Sequence, residues 1–131
     1  MGKGYEDLEG YQRAFALQKP IHQLVLEFPD YEKYDLANQM RRACKSVVSN
    51  IVEGYARQRS PRELCSYLAV SVGSANEAEG HLKTAHALDS VVEARAAEFI
   101  EEYQIVGKQL TRLIQFWRSR MRPPQSPISS L

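Results

Sequence analysis

The sequence of 131 residues has no long apolar run, few cysteines and almost no net charge. No apolar segment approaches the roughly 20 residues that a membrane-spanning helix needs. The amino terminus also lacks the basic and apolar regions of a signal peptide, so a cytoplasmic protein without membrane contact is expected. Neither Cys44 nor Cys65 belongs to a Cys-x-x-Cys pair or stands near a histidine. Both are therefore predicted to be reduced structural thiols.

The sequence also lacks the motifs on which common enzymes depend. It has no glycine-rich phosphate-binding loop and no Glu-x-x-His pair of the kind that binds iron in helical bundles. Glu77 and His81 are four residues apart, whereas His22 and His86 each follow a lysine by three residues. Neither cysteine is accompanied by a histidine that would activate it as a nucleophile. We therefore predict a protein without catalytic activity, metal or cofactor.

The net charge of +1 conceals a segregated pattern of charge. Residues 41–62 carry six basic residues and one acid, and residues 108–122 carry five basic residues and no acid. Residues 1–40 and 63–107 are acidic. Cations stabilise the carboxyl ends of helices, which accounts for part of the second basic segment. Two such segments could equally bind phosphate groups or an acidic partner, and a solvated surface without a ligand is the alternative.

Apolar residues recur at intervals of three and four along most of the chain, which is the spacing of amphipathic helices. The pattern predicts helices near residues 8–28, 35–56, 61–88 and 92–120. Pro20 is expected to kink the first helix. Ser60 and Pro61 supply a cap and a first-turn proline for the third helix, with Glu63 completing a capping-box pattern.

No segment has the alternation typical of a strand. Four helices with short connections predict an all-α fold, an antiparallel up-down-up-down four-helix bundle over residues 1–122. The proline- and serine-rich residues 123–131 are predicted to form a disordered tail. Gly54 is expected to permit close packing or to serve the end of the second helix, and Gly73 and Gly80 are expected to permit close approach along the third helix.

A stripe of polar residues runs beside the apolar face of the second helix and has a counterpart on the third. Its members are Gln39, Arg42, Ser46, Asn50, Glu53, Ser74, Glu77 and His81. Polar groups near a core need partners. We interpret this polar stripe as a buried structural network in which Arg42 pairs with Glu77. A site for a ligand or a partner protein is the alternative.

The basic segments supply a candidate nucleic-acid surface. Its members are Arg41, Lys45, Arg57, Arg59, Arg62, Lys108, Arg112, Arg118, Arg120 and Arg122. In an antiparallel bundle the second and fourth helices end at the same side, so the two basic segments are expected to meet there. No aromatic platform interleaves these arginines, which predicts contact with phosphates without base stacking.

The motifs of the second helix and its flanks resemble a known family. The chain reads Q-x-R-R-A-x-x-S-x-x-x-N-I-x-E-G-Y over residues 39–55, after F-P-x-x-E-x-Y-x-L and before S-V-G-S-A-N-E-A-E-G-H-L. These segments resemble small bacterial four-helix bundle proteins that are encoded in intervening sequences of large-subunit ribosomal RNA genes and described as ribosomal-protein-like. The accessory variability determinant of diversity-generating retroelements is similar to them. The resemblance covers residues 5–117.

This resemblance implies an assembly and a set of partners. Relatives form homopentameric barrels, and the retroelement protein binds nucleic acid and a reverse transcriptase. The resemblance therefore implies a homopentamer, RNA or DNA and a reverse-transcriptase-like protein as partners, and no catalysis. Independently, several apolar residues outside the tightest stripes are expected to leave exposed surface for self-association. They are Tyr11, Phe15, Ile100, Ile114 and Phe116. The alternative function is a structural or protein-interaction scaffold that binds no nucleic acid.

Overall fold

The structure, a computed structural model, describes residues 4–121 and consists of four α-helices joined by short connections. They are α1 (Glu9–Leu26), α2 (Leu36–Ala56), α3 (Pro61–Ala87) and α4 (Glu93–Ser119). Short 3-10 helices at Gly4–Asp7 and Asp30–Glu32 precede α1 and α2. No strand occurs within residues 4–121, and the predicted all-α class is confirmed. Arg122 and the predicted tail at 123–131 lie outside the described residues.

The helices pack as an antiparallel bundle in which each helix lies beside the next and α4 returns to α1. Along α1, Arg13 reaches Glu102 of α4 at 2.8 Å, while Glu27 near the other end of α1 lies 3.3 Å from Arg95. Residue numbers therefore rise along α1 as they fall along α4. Short connections impose the same reversal between successive helices. The predicted four-helix bundle is confirmed.

Local signals in the sequence explain where the helices begin and end. The Ser60 hydroxyl oxygen accepts a hydrogen bond from the Glu63 backbone N–H at 3.3 Å, and Pro61 occupies the first turn of α3. Only this half of the predicted capping box is present, since the Glu63 carboxylate lies 3.8 Å from Arg57 instead. Pro20 lies inside α1, which continues past it to Leu26.

The apolar stripes of the four helices meet in one core. Its largest fully buried side chains include Tyr103, Met40, Leu68 and Leu110. Small residues on α3 let α2 approach closely, and Ser71 donates a hydrogen bond to the Val47 carbonyl oxygen of α2. None of the described helices combines the length and the apolar character that a membrane span requires.

Part of the predicted apolar surface is absent. Ile114 is buried, so its expected exposure was wrong. This part of α4 packs against α3, where the Cys65 thiol lies 3.9 Å from the Ile114 carbonyl oxygen. Tyr11 and Ile100 are half-buried against the core. Phe15 and Phe116 do remain 53% and 46% exposed. The apolar surface that is left over is therefore smaller than the sequence suggested, but it includes two aromatic rings.

Candidate functional site: an arginine-rich end of the bundle

The carboxyl ends of α2 and α4 meet at one end of the bundle. The Trp117 indole N–H donates a hydrogen bond to the Tyr55 hydroxyl oxygen at 3.2 Å, and the two rings meet edge to face at 6.3 Å. Arg62 at the start of α3 and Arg118 near the end of α4 line one shallow groove. We call this end the basic pole, and it consists of Arg57, Arg59, Arg62, Arg118 and Arg120.

The five arginines of the basic pole differ in how far the protein itself neutralises them. Arg57 pairs with Glu53 at 2.9 Å and lies 3.8 Å from Glu63, and its hydrogen bond to Glu53 raises its pKa above the ordinary value. In contrast, the other four arginines, Arg59, Arg62, Arg118 and Arg120, are exposed and form no ion pair within residues 4–121. The unpaired positive charge of the pole therefore resides in these four side chains.

Aromatic rings lie among the arginines, contrary to the expectation from the sequence. The Arg120 guanidinium lies 3.7 Å from the centre of the Phe116 ring, and that of Arg57 lies 5.3 Å from the centre of the Tyr67 ring. Both distances are within the range of cation–π attraction. The prediction failed because Tyr67 is distant from Arg57 in sequence and the turn between α2 and α3 brings them together. The aromatic pair Phe116–Trp117, directly before Arg118, was the feature of the sequence that could have predicted aromatic rings at this end of the bundle.

Three other predicted nucleic-acid contacts lie away from the basic pole. Arg41 and Lys45 precede Arg57 by three to five helical turns, about 18–24 Å along α2, and they line a groove between α1 and α2. Lys108 lines a different groove between α3 and α4. Arg112 lines that groove as well as a pocket that includes Tyr55 and Trp117 at the pole. The expectation that both basic segments meet at one end was therefore wrong for Arg41, Lys45 and Lys108, because each segment spans several helical turns.

The centre of the polar stripe is a small hydrogen-bonded network between α2 and α3. The hydroxyl groups of Ser46 and Ser74 share a hydrogen bond of 2.7 Å. The Asn50 side-chain amide donates to the Ser46 hydroxyl and carbonyl oxygens, at 3.0 and 2.8 Å. Ser74 is buried, and Ser46 and Asn50 are half-buried. Each polar group has a partner within the protein, as a structural role requires.

The outer part of the polar stripe is exposed, and the predicted pair between Arg42 and Glu77 is absent. Both side chains reach solvent, and Glu77 lies 3.2 Å from His81 on its own helix. Gln39 is also exposed and donates a hydrogen bond to Asp35 at 2.7 Å. Glu53 is exposed and paired with Arg57. Long charged side chains at the rim of the α2–α3 contact extend into water, where they need no ionic partner.

The described residues offer no assembled metal or nucleophile site. Cys44 and Cys65 are buried free thiols, and burial raises the pKa of each above its ordinary value. Among residues 4–121, no three side chains of His, Cys, Asp or Glu converge in a way that could hold a metal ion. The arrangement that the structure does provide is electrostatic, an exposed cluster of arginines with neighbouring aromatic rings.

The geometry thus defines a small four-helix bundle protein with one arginine-rich end. Residues 6–112 match the model of the 23S rRNA-intervening sequence proteins, and the chain belongs to this family. A crystal structure of a protein with unknown function from the S23 ribosomal protein family of Bacteroides thetaiotaomicron is similar, with a TM-score of 0.72 and 16% identity. The match covers 81% of this chain and 98% of that one, and at this identity it shows the fold alone. No curated protein matches the chain.

Proposed function

We propose that this protein is a non-enzymatic homo-oligomer of the cytoplasm that binds RNA or DNA through its basic pole. The observation that carries the proposal is the cluster of exposed arginines without carboxylate partners in the described chain, Arg59, Arg62, Arg118 and Arg120. Phosphate attraction supplies most of the affinity in such a surface. The exposed Phe116 ring beside them adds a platform for an unpaired base.

Self-association strengthens the proposed binding of nucleic acid, because it places several copies of a weak binding site in one assembly. A single pole offers few phosphate contacts, whereas copies held in one assembly bind the same strand with a high effective concentration. The exposed Phe15 ring favours association, and the resemblance to pentameric relatives makes the pentamer our proposed state. It also makes a reverse-transcriptase-like protein the proposed protein partner.

A scaffold function without nucleic acid is the second candidate, and the pairing of Arg57 favours it. This side chain is neutralised by Glu53 and Glu63 within the same chain. A surface selected only for phosphate binding would not need acids at its centre. In this alternative the basic pole serves solubility, and the contacts with protein partners constitute the function.

The test compares two pairs of charge reversals that change the net charge equally. Arg62→Glu with Arg118→Glu alters the basic pole, whereas Lys83→Glu with Lys108→Glu alters the α3–α4 groove, which Lys108 lines and whose Glu79 is paired with Lys83. Binding of a structured RNA and a duplex DNA is measured by fluorescence anisotropy at low and at moderate salt. We expect the pole variant to bind about tenfold or more weakly, with a shallower salt dependence, because phosphate contacts are lost. The groove variant should bind nearly as the parent does.

The outcomes separate the two candidate functions. Equal losses in both variants would mean that the whole charge of the chain attracts nucleic acid and that the basic pole is not a site. No binding by the parent at low salt would refute the nucleic-acid function and leave the scaffold. Light scattering at micromolar concentration tests the assembly, for which we expect five times the chain mass of 14.9 kDa. A monomer would refute it.

A further inference from the structure

Two grooves of opposite charge flank α1 at the same level of the bundle. On one side, α1 and α2 enclose a groove that contains Lys19, Arg41 and Lys45 and no acid. On the other side, α1 and α4 enclose a groove that contains Glu9, Glu98, Glu101 and Glu102. We call them the basic groove and the acidic groove. Within residues 15–20 of α1, half of the side chains line one groove and the other half line the other, so the two grooves lie on either side of this part of the helix.

The charges of the basic groove are not compensated within the chain. Lys19 and Lys45 are exposed, and neither they nor Arg41 form an ion pair in the part that the structure describes. Arg41 only donates a hydrogen bond to the Lys33 carbonyl oxygen at 3.2 Å. Three like charges repel one another, and the exposed Phe15 ring at the edge of the groove adds apolar surface. Such a surface is suited to an acidic partner with an apolar part.

The acidic groove has matching properties with the opposite sign. Its one cation, Arg13, is neutralised by Glu102, because Arg13 Nη1 donates hydrogen bonds of 2.8 Å to both carboxylate oxygens. Glu98 and Glu101 are exposed and form no ion pair with any described residue. Glu9 only accepts a hydrogen bond from the Gln109 side chain at 3.3 Å. The groove therefore presents three uncompensated carboxylates above apolar side chains that include Leu17 and Phe99.

We propose that the partner of each groove is a second copy of this chain, with the acidic groove of one copy docked on the basic groove of the next. Three uncompensated carboxylates then face three uncompensated cations, and opposite potentials of this kind fix register and orientation. Because the two surfaces differ, the contact is head-to-tail and generates a ring or a chain. The inference rests on the self-association in the proposed function and assigns its surface. It also removes Arg41 and Lys45 from the nucleic-acid surface.

The test uses charge reversals at exposed residues that have no ionic partner in the described chain. Lys19→Glu with Lys45→Glu reverses the basic groove, and Glu98→Lys with Glu101→Lys reverses the acidic groove. Sedimentation velocity at low salt measures assembly. In each variant alone, the protein concentration at which half of the chains are assembled should rise about tenfold or more. The pole variant, Arg62→Glu with Arg118→Glu, is the matched control and should assemble as the parent does. An unchanged helix content by circular dichroism and a cooperative melt establish that each variant folds, since loss of assembly by itself lowers the melting temperature.

Recombining the variants tests the pairing itself. An equimolar mixture of the two groove variants should regain complexes larger than either variant forms alone, because each reversed groove meets its complement on the other variant. Since the two variants must alternate, the mixture should form open chains or rings with an even number of copies instead of pentamers. A single chain with all four reversals should assemble with itself for the same reason. These two restorations distinguish groove-to-groove docking from a general effect of charge.

Each other outcome contradicts the inference in a recognisable way. Groove variants that assemble like the parent would overturn the docking surface and leave self-association intact. Loss of assembly only after reversal of the basic groove would mean that an anionic ligand or another acidic surface fills it. A mixture that stays dissociated would also overturn the pairing. A parent that is monomeric at micromolar concentration and low salt would overturn both the inference and the proposed self-association.

Discussion

Gly54 lies where α2 passes closest to the start of α3. A Cβ atom at this position would meet the Cβ atom of Tyr67 at 3.0 Å and two atoms of Leu64 at 3.2 and 3.3 Å. A Cβ atom and a backbone oxygen cannot move aside without shifting α3. At Gly73, on the exposed face of α3, a Cβ atom would meet nothing within 4 Å. The two glycines therefore form a matched pair for a measurement of packing.

We expect Gly54→Ala to lower the free energy of unfolding by about 1–2 kcal/mol, because overpacking outweighs the better helix propensity of alanine. Gly73→Ala should raise it by about 0.5–1 kcal/mol, because only the propensity changes there. Urea denaturation at one fixed protein concentration measures both changes. A Gly54→Ala variant as stable as the parent would show that α2 and α3 can separate without cost.

These glycines also show what helical periodicity predicts at the scale of a residue. Gly54 continues the apolar stripe of α2, so its close contact with α3 follows from its phase. Gly73 and Gly80 were expected to serve a close approach in the same way, and both expectations were wrong, because a Cβ atom added at either position would meet no atom of another helix within 4 Å. Their neighbours Ser74 and Ala78 are buried instead. Because glycine has no side chain, its polarity does not indicate whether it faces the core or the solvent. Only the positions of the neighbouring apolar residues show which face of the helix it occupies.

At the scale of elements, Tyr103 of α4 reaches across the core towards Cys44 of α2. Tyr103 is 1% exposed, and its hydroxyl group has no regular hydrogen-bond partner among the described residues. Burial, with the nearby Cys44 thiol as a smaller cause, raises the pKa of Tyr103 far above its ordinary value. The folded bundle therefore keeps this hydroxyl group protonated under conditions in which an unfolded chain would release the proton.

This difference predicts a loss of stability in alkali. Below the ordinary tyrosine pKa of about 10 the stabilising contribution is complete, and above it the unfolded state releases a proton that the folded state retains. Stability should then fall by about 1.4 kcal/mol per pH unit for this one group. In the Tyr103→Phe variant we expect the free energy of unfolding to fall less steeply with rising pH, because the contribution of this hydroxyl group is gone. Urea denaturation between about pH 8 and about pH 11 measures the slope. Tyr34→Phe is the control, since Tyr34 is 93% exposed, and an unchanged slope in Tyr103→Phe would contradict the account.

The helices could be predicted well from the sequence, because the features that determine where they begin and end lie within a few residues of those ends. Caps, prolines and apolar stripes act within a few residues, and they placed every helix end to within two residues of the observed bounds. The polar contact between Ser46 and Ser74 lies on the predicted stripe. Arg42 and Glu77 lie one turn further along the same contact, yet long side chains can turn to water or to their own helix. Periodicity therefore predicts which residues face a neighbouring helix, but it does not predict the conformation of a flexible charged side chain at the rim.

At the scale of the whole molecule, α1 is the least firmly held of the four helices. It packs less extensively against α2 and α4 than α3 does. Pro20 supplies no backbone N–H for the helix. Two half-exposed ion pairs, from Arg13 to Glu102 and from Arg95 to Glu27, attach α1 to α4 near its two ends. Because both grooves border α1, the two neighbouring copies that fill them would also cover this helix.

We therefore expect amide hydrogen exchange to report α1 as the first helix to open. In a dissociated groove variant, amides of α1 should exchange faster than those of α3, because local opening follows the extent of packing. Arg13→Met should speed exchange in α1 by a further twofold to fivefold or so, the equivalent of about 0.5–1 kcal/mol for a solvent-screened pair. Lys83→Met, which removes an ion pair within α3 itself, is the control and should leave α1 unchanged. In the assembled parent, α1 should be protected relative to the dissociated variant, and equal exchange of α1 and α3 in both would contradict this order of stability.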